Sequence, residues 1–365
     1  MIVTLLFASS AIYIVLICVF VLGATYAAYP SDQSYRPRVS IIVAARNEED
    51  NIEACIRSLA ALDYPRELLD IIIVDDRSTD RTPELVAQFA AAHGHMRLLR
   101  IGTESDIPHG KANAVMCAAD IATGEIIMFT DADCEVPPTW VSSTVKYYSE
   151  PRVGAVAGFT SLAGSPPLER MQALDWFVLF SVAAAMTRLG SPVTAVGTNL
   201  SVRKRAYDSV GGYRKIPFSV TEDYALYHAV TAGGTWKARF PMDPGALVKS
   251  MPCHTLKQLF SQKRRWFTGG RGMDMKSLLI FAFPYVNNFL ILAGIFLAPW
   301  WAVCIALGVK LCVDFVLCLP ATARFGRKSL LAVYPLFELY YYTYVLIFPP
   351  IVAFGSKITW KGRKI

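Results

Sequence analysis

The sequence predicts an α/β protein in which an open, mostly parallel sheet domain is joined to transmembrane and interfacial helices. Three observations predict it. Strand and helix signals alternate from Val39 to Thr130; residues 1–30 contain no Asp, Glu, Lys or Arg; and the C-terminal third is both apolar and basic. Residues 255–365 hold 14 basic and 3 acidic side chains, net +11, whereas residues 1–254 are net −4, so the overall +7 belongs to the C-terminal third. Hydrophobic residues make up 54% and charged residues 18%. That balance excludes a disordered chain, a collagen-like chain and a small disulfide-stapled domain.

The first element, residues 1–30, reads as a transmembrane helix, because Ile2 to Tyr29 is almost wholly apolar and long enough for a bilayer of ~30 Å. A cleaved signal peptide is the rival reading. It lacks support because no basic region precedes the run and the run exceeds the usual ~7–15 apolar residues. Arg36, Arg38 and Arg46 follow, which places the next segment in the cytoplasm by the positive-inside rule.

Within residues 36–250 the order is strand Val39–Ala44, helix Asn51–Ala61, strand Asp70–Val74, helix 83–92 behind the Thr82-Pro83 cap, strand Met96–Ile101, helix Lys111–Ala122 and strand Glu125–Thr130. This alternation implies parallel strands with helices on both faces. Ligands in such sheets sit at the carboxyl ends of the strands. Arg46-Asn47-Glu48, Asp75-Asp76 and Asp131-Ala132-Asp133 all fall there.

Asp131 and Asp133, spaced i, i+2 at a strand end, can share a hard divalent cation, Mg²⁺ or Mn²⁺, with ligand phosphates completing its shell. A capped turn before Pro137-Pro138 is the alternative. Asp75 and Asp76 offer acceptors to a base or ribose, or form an Asx-turn with Ser78 or Asp80 as a helix cap. Gly110-Lys111 lacks the upstream glycine and the Ser/Thr of a P-loop, yet Lys111 and Asn113 at a helix start can face a phosphate. Thr221-Glu222-Asp223 opens a helix. Either the acids suit its first turn, or Asp223 is a general base beside a reacting hydroxyl.

Residues 251–277 form an amphipathic interfacial segment. Leu256, Leu259, Phe260 and Phe267 recur at helical spacing, with Lys257, Lys263 and Arg264 on the remaining, basic polar face. Gln262 and Arg265 lie within it, and Arg265 can clamp a diphosphate bidentately. The run Trp176–Met186 is too short to span a bilayer. It reads as a core helix or as part of an acceptor groove at the membrane.

Residues 278–356 form the C-terminal transmembrane region. Leu278–Pro320 suffices for two helices, with Pro299-Trp300-Trp301 as an interfacial turn, and Lys310 and Asp314 share a helix face and can pair. Leu330–Phe354 carries Glu338, Pro335, Pro349 and Pro350. A single span there would set the basic loop Arg324–Lys328 and the basic tail 357–365 on opposite sides of the membrane. A re-entrant or broken helix is the alternative. Of eight cysteines four lie in apolar stretches and none forms CxxC, so reduced thiols are expected and no zinc or dithiol site. The basic apolar third suits an anionic bilayer surface. No pattern supports nucleic acid.

Taken in order, Val39–Glu48, Val74–Asp80, Gly110–Asn113, Asp131–Asp133, Gly197–Asn199 with Gly211–Tyr213, Thr221–Asp223 and Gln262–Trp266 make the chain resemble membrane-bound family-2 glycosyltransferases with the GT-A, Rossmann-like fold. Gln262-Lys-Arg-Arg-Trp266 is similar to the Q-x-x-R-W motif of cellulose, chitin and hyaluronan synthases and of ceramide glucosyltransferase-like enzymes. The resemblance implies a nucleoside site at Asp75 and Asp76 with help from Lys111. It implies metal and sugar-nucleotide binding at Asp131 and Asp133, and a catalytic base at Asp223. Arg265 would take the diphosphate and Trp266 the acceptor, with Asn47, Glu48 and Gln262 also counted in the substrate-binding set. Arg77 stands where the family often has glycine.

The expected activity is inverting, metal-dependent transfer from a nucleotide-sugar to a membrane-lipid hydroxyl (ceramide-like, glycerolipid, carotenoid or polyprenyl) at the cytoplasmic face. UDP is the commoner donor nucleotide in this family. A processive synthase needs a polar tunnel enclosed by several helices, more than this chain offers alone; a short processive synthase is the alternative, and an inactive sugar-nucleotide-binding subunit the minor one.

Overall fold

The computed structural model describes residues 1–26, 29–103, 110–269, 275–354, 359–360 and 363–364. Parts of the interfacial segment (270–274) and of the basic tail (357–358, 361–362, 365) lie outside the described residues. The strands are β1 (Val39–Ala45), β2 (Leu69–Asp75), β3 (Met96–Arg100), β4 (Ile126–Asp131), β5 (Val153–Ala157), β6 (Thr160–Leu162), β7 (Leu200–Arg203), β8 (Lys237–Arg239), β9 (Val248–Ser250), β10 (Thr359–Trp360) and β11 (Arg363–Lys364). The helices are α1 (Ile2–Thr25), α2 (Ile52–Ala60), α3 (Thr82–Ala92), α4 (Lys111–Ile121), α5 (Trp140–Val145), α6 (Pro167–Arg188), α7 (Lys204–Ser209), α8 (Gly212–Lys215), α9 (Glu222–Ala232), α10 (Leu256–Gly269), α11 (Met275–Leu297), α12 (Trp300–Arg324) and α13 (Tyr334–Phe354). They fall into two compact units.

The sheet unit comprises Ala27–Ala163 and Thr194–Met251. Its seven strands run in the order β3-β2-β1-β4-β7-β5-β8. β1 is parallel to β2 and β4, and β2 to β3. All seven residues of β2 are buried, as strands covered on both faces require. β7 runs antiparallel between β4 and β5, so the sheet is mostly, not wholly, parallel. The register matters for function. Ala45 pairs with Asp75 on one side of β1 and Ala44 with Asp131 on the other. The chain leaves β1 toward β2 and returns through β4 on the opposite flank, so these carboxylates stand at the switch point where open α/β sheets bind ligands.

The helical unit comprises Met1–Tyr26, Gly164–Val193 and Pro252–Ile365. Four of its segments, Ile2–Thr25, Ser277–Leu297, Trp300–Arg324 and Lys328–Ile351, are long and apolar enough to cross a membrane. The run Trp176–Met186 lies inside the 22-residue α6, whose residues cluster with these helices and not with the sheet. α1 packs on α6 and α12. A Cβ on Gly23 would fall 2.9 Å from the Cβ of Ala185, so glycine there permits the close helix approach common in membranes. Lys310 pairs with Asp314 at 2.6 Å, as the spacing predicts, and also with Glu338 at 2.5 Å. Tyr13 donates to Asp314 at 2.6 Å. The charges of Lys310, Asp314 and Glu338 thus partner one another inside this apolar unit. α13 runs unbroken through Pro349 and Pro350, so the broken-helix alternative gives way to a continuous one.

One expectation is corrected here. Lys263 does not lie on a solvent-facing basic stripe: it is 3% exposed and ion-paired with Asp175 of α6.

Candidate active site

Each loop at the switch point is fixed by its own sequence. At the end of β2, Asp75 accepts the Ser78 N–H at 3.1 Å, an Asx-type turn. Asp76 pairs with Arg77 at 3.1 Å and Arg46 at 3.8 Å. Arg77 has φ +59°. This left-handed conformation explains why glycine suits the position in the resembling family. Asn47, at φ +52°, accepts the Thr79 N–H at 2.8 Å and donates its own N–H to Ser78 at 3.0 Å. The N–H of Glu48 donates to Thr82 at 2.8 Å. Asn47 and Glu48 therefore lock the β1 loop to the β2 loop. Asp80, not Ser78, serves the start of α3, accepting from the Thr82 N–H at 3.0 Å.

On the other side of β1, one cleft is lined by Ile42 and Ala44 of β1, Lys111, Asp131, Gly197, Tyr213, Glu222 and Asp223. Lys111 lies 2.6 Å from Asp131 and 3.0 Å from Glu222. Burial works against its charge, but Asp131, Glu222 and Asp223 hold its pKa well above the usual lysine value. Asp223 accepts the Gly197 N–H at 2.6 Å through Oδ2 and the Tyr224 N–H at 2.8 Å through Oδ1. A Cβ on Gly197 would sit 3.3 Å from the Lys111 ammonium and 3.4 Å from Asp223, so the absent side chain leaves that contact room. Withdrawal from water and the charge of Glu222 push the Asp223 pKa up to about 6, against the pull of Lys111. Thr221 occupies the cap position of α9 without a side-chain cap hydrogen bond.

Asp133 is pushed up to about 6 by withdrawal from water, then by the charges of Asp131 and Glu48. The cluster thus carries more carboxylate than cation. Among the described residues no three His, Cys, Asp or Glu side chains converge on one metal position. The donor set fits Mg²⁺ or Mn²⁺, which take one or two protein carboxylates and complete their shells with water and phosphate oxygens.

The sheet unit therefore brings Lys111, Asp131 and Asp223 into one cleft and puts Asp75 and Asp76 across β1 from it. Gln262, Arg265 and Trp266 lie on α10 of the helical unit, where Trp266 packs on Trp176 with ring centroids 5.6 Å apart. Sequence reasoning missed the Lys111–Glu222 bridge and the part of Tyr213 in the cleft. It also missed Asn199, which ties Trp140, Phe159 and Ala246 together beneath the site. Gly197-Thr-Asn199 marked that place, but no spacing rule says which atoms it joins.

The model of the family described as "Glycosyl transferase family 2" matches residues 40–211, and that of "Glycosyl transferase family group 2" matches residues 126–357. The chain belongs to the family-2 glycosyltransferases. Its curated relatives include a beta-monoglucosyldiacylglycerol synthase of Nostoc sp., 29% identical over 68% of this chain and 52% of that protein. Another is a poly-beta-1,6-N-acetyl-D-glucosamine synthase of Staphylococcus epidermidis, 26% identical over 64% of this chain and 54% of that protein. The chain spans about half the length of the first of these relatives. Among solved structures, the mannosyltransferase PcManGT from Pyrobaculum calidifontis in complex with GDP-Man and Mn²⁺ superposes with TM-score 0.64 at 22% identity, covering 97% of this chain and 99% of that one. The family-2 glycosyltransferase described here thus has the GT-A fold and, among the described residues, four helices of membrane-spanning length and apolarity.

Proposed function

We propose that this glycosyltransferase moves one sugar, with inversion, from a nucleotide-sugar to the hydroxyl of a membrane lipid at the cytoplasmic face. The observation that carries the reading is one cleft holding Asp223, Lys111 and Asp131 in a chain with, among the described residues, four helices of membrane-spanning length. Asp75 and Asp76 receive the nucleoside, aided by Asn47 and Glu48 through the loop they lock. Asp131 and Asp133 hold the divalent ion, whose charge offsets that developing on the leaving diphosphate. Arg265 and Gln262 contact the diphosphate side and Trp266 lines the acceptor site.

Asp223 removes the acceptor proton. Its carboxylate is oriented by two backbone N–H groups, each oxygen keeps a lone pair for the incoming hydroxyl, and a pKa near 6 suits a base working near neutrality. In the ligand-free cleft Lys111 offsets part of the charge of Asp131 and Glu222, and once donor binds its ammonium faces the phosphates.

A lipid acceptor is favoured over a growing polymer because hydrocarbon cannot solvate a glycan and a tunnel needs an enclosing wall of helices. The relatives named beta-monoglucosyldiacylglycerol synthase agree with that choice; UDP, the commoner donor nucleotide of the family, is the first donor to try, and the GDP-Man of the PcManGT complex makes GDP-sugars the comparison. The test is incubation of purified protein in lipid nanodiscs with Mn²⁺, total lipid extract and radiolabelled UDP- and GDP-sugars. One discrete chloroform-soluble product is expected. A retained polymer ladder would establish the processive alternative, and no product with any donor would overturn the reading.

A further inference from the structure

Asp175 is a buried carboxylate that the transfer mechanism leaves unused. It is 3% exposed on α6, and its partner Lys263 is 3% exposed on α10. From α13, the hydroxyls of Tyr340 and Tyr344 approach its two oxygens at 3.4 Å. The Lys263 ammonium also lies 4.5 Å from the centre of the Trp266 ring and 5.0 Å from that of Tyr344, within cation–π range. Trp266 packs on Trp176, the residue beside Asp175. The pair therefore stands inside the Gln262–Trp266 motif, with its counter-charge 88 residues earlier in the chain.

We infer that the Asp175–Lys263 pair is a positioning device that sets the rotation of α10 about its axis, and so the side on which Gln262, Arg265 and Trp266 project. An amphipathic helix held by Leu259, Phe260 and Phe267 alone can rotate or slip at small cost, because one apolar contact replaces another. A buried ammonium and carboxylate do not allow this. Either charge left unpaired in such surroundings is strongly unfavourable, and a buried polar pair is best attested as a means of fixing register. Only one rotation lets Lys263 reach Asp175. The orientation is not chosen by Gln262 itself, whose Oε1 is buried without a hydrogen-bond partner among the described residues.

The inference rests on the proposed role of the Gln262–Trp266 motif, and the experiment separates the two. Asp175→Asn, Lys263→Met and the exchanged pair (Asp175→Lys with Lys263→Asp) are compared in nanodiscs with Arg265→Ala. The readings are turnover with the donor that labels lipid, affinity for UDP and GDP with Mn²⁺, and thermal stability. Emission of Trp266 is obtained as the difference between each protein and its Trp266→Phe counterpart. Both single variants should lose at least tenfold in turnover while nucleotide affinity changes less than threefold, the Trp266 emission should shift, and the exchanged pair should recover part of the turnover. Single variants that keep turnover within twofold and Trp266 emission unchanged would overturn the positioning role. So would an exchanged pair no better than either single variant, provided that it stays folded. If Arg265→Ala alone leaves turnover intact, the assigned role of the motif fails, while the emission shift still decides whether the pair orients the helix.

Discussion

Replacing Asp223 by asparagine separates a catalytic base from a structural acceptor, because the structure assigns a cost to each. Asp223 accepts two backbone N–H groups, one per oxygen. Asparagine keeps one acceptor and turns an NH₂ toward the other N–H. That leaves one partly buried donor facing a donor, a loss of about 1–3 kcal/mol. For a domain of this size such a loss lowers the melting temperature by roughly 2–4 °C per kcal/mol, so the variant remains folded at assay temperature. Loss of the base is larger in its own measurement. Positioned proton transfer contributes ~10²–10⁴ in rate, a barrier rise of about 2.7–5.4 kcal/mol. The assay is lipid labelling at saturating donor, paired with nucleotide affinity and a melting curve. A fall of at least ~10²-fold in turnover, with nucleotide affinity nearly unchanged, is expected. Turnover within a few-fold of the original, alongside the modest melting shift, would make Asp223 only a tie for the Gly197 loop, and Glu222 the first alternative base.

Asp133→Ala should abolish transfer, as should chelation of the native enzyme by EDTA; full turnover after demonstrated metal removal would end the metal assignment. Turnover should rise as pH increases through about 6, where Asp223 loses its proton, and a flat profile from pH 5 to 7.5 would contradict this. Stability of the ligand-free protein should move the other way. A carboxyl whose folded pKa of about 6 exceeds its ordinary 3.8 favours the folded state at low pH, an advantage lost as pH rises from about 4 to 6; melting curves across that window check the sign. Arg77→Gly relieves a left-handed residue, worth about 1–2 kcal/mol, and removes a partly exposed ion pair worth about 0–1 kcal/mol. Melting should show the variant neutral to about 2 kcal/mol more stable, and a clear loss would mean that the pair to Asp76 outweighs the strain.

Asp75 and Asp131 were legible because each terminates an apolar strand, and strand ends are where such sheets gather ligands. Asp75 and Asp131 end up flanking β1 for that reason. The antiparallel insertion of β7 was not legible: four residues carry too little pattern to fix a direction. Nor was the place of α6, since an apolar run of eleven residues suits a core helix as well as one packed among membrane-length helices. Lys263 was misread because its neighbours in sequence make a basic stripe, while its burial depends on a carboxylate far away along the chain. Motif spacing likewise named Gly197 and Asp223 but could not say that one donates its N–H to the other.

The most direct measurement is the anomeric configuration of the product itself. Lipid labelled from an α-linked nucleotide-sugar is purified, and its anomeric ¹H coupling and its linkage to the lipid are read by NMR. A single β-linked sugar on a lipid hydroxyl is the predicted result. An α-linked sugar would contradict transfer by a single displacement with Asp223 as base, and a chain of sugars would contradict a single transfer to lipid.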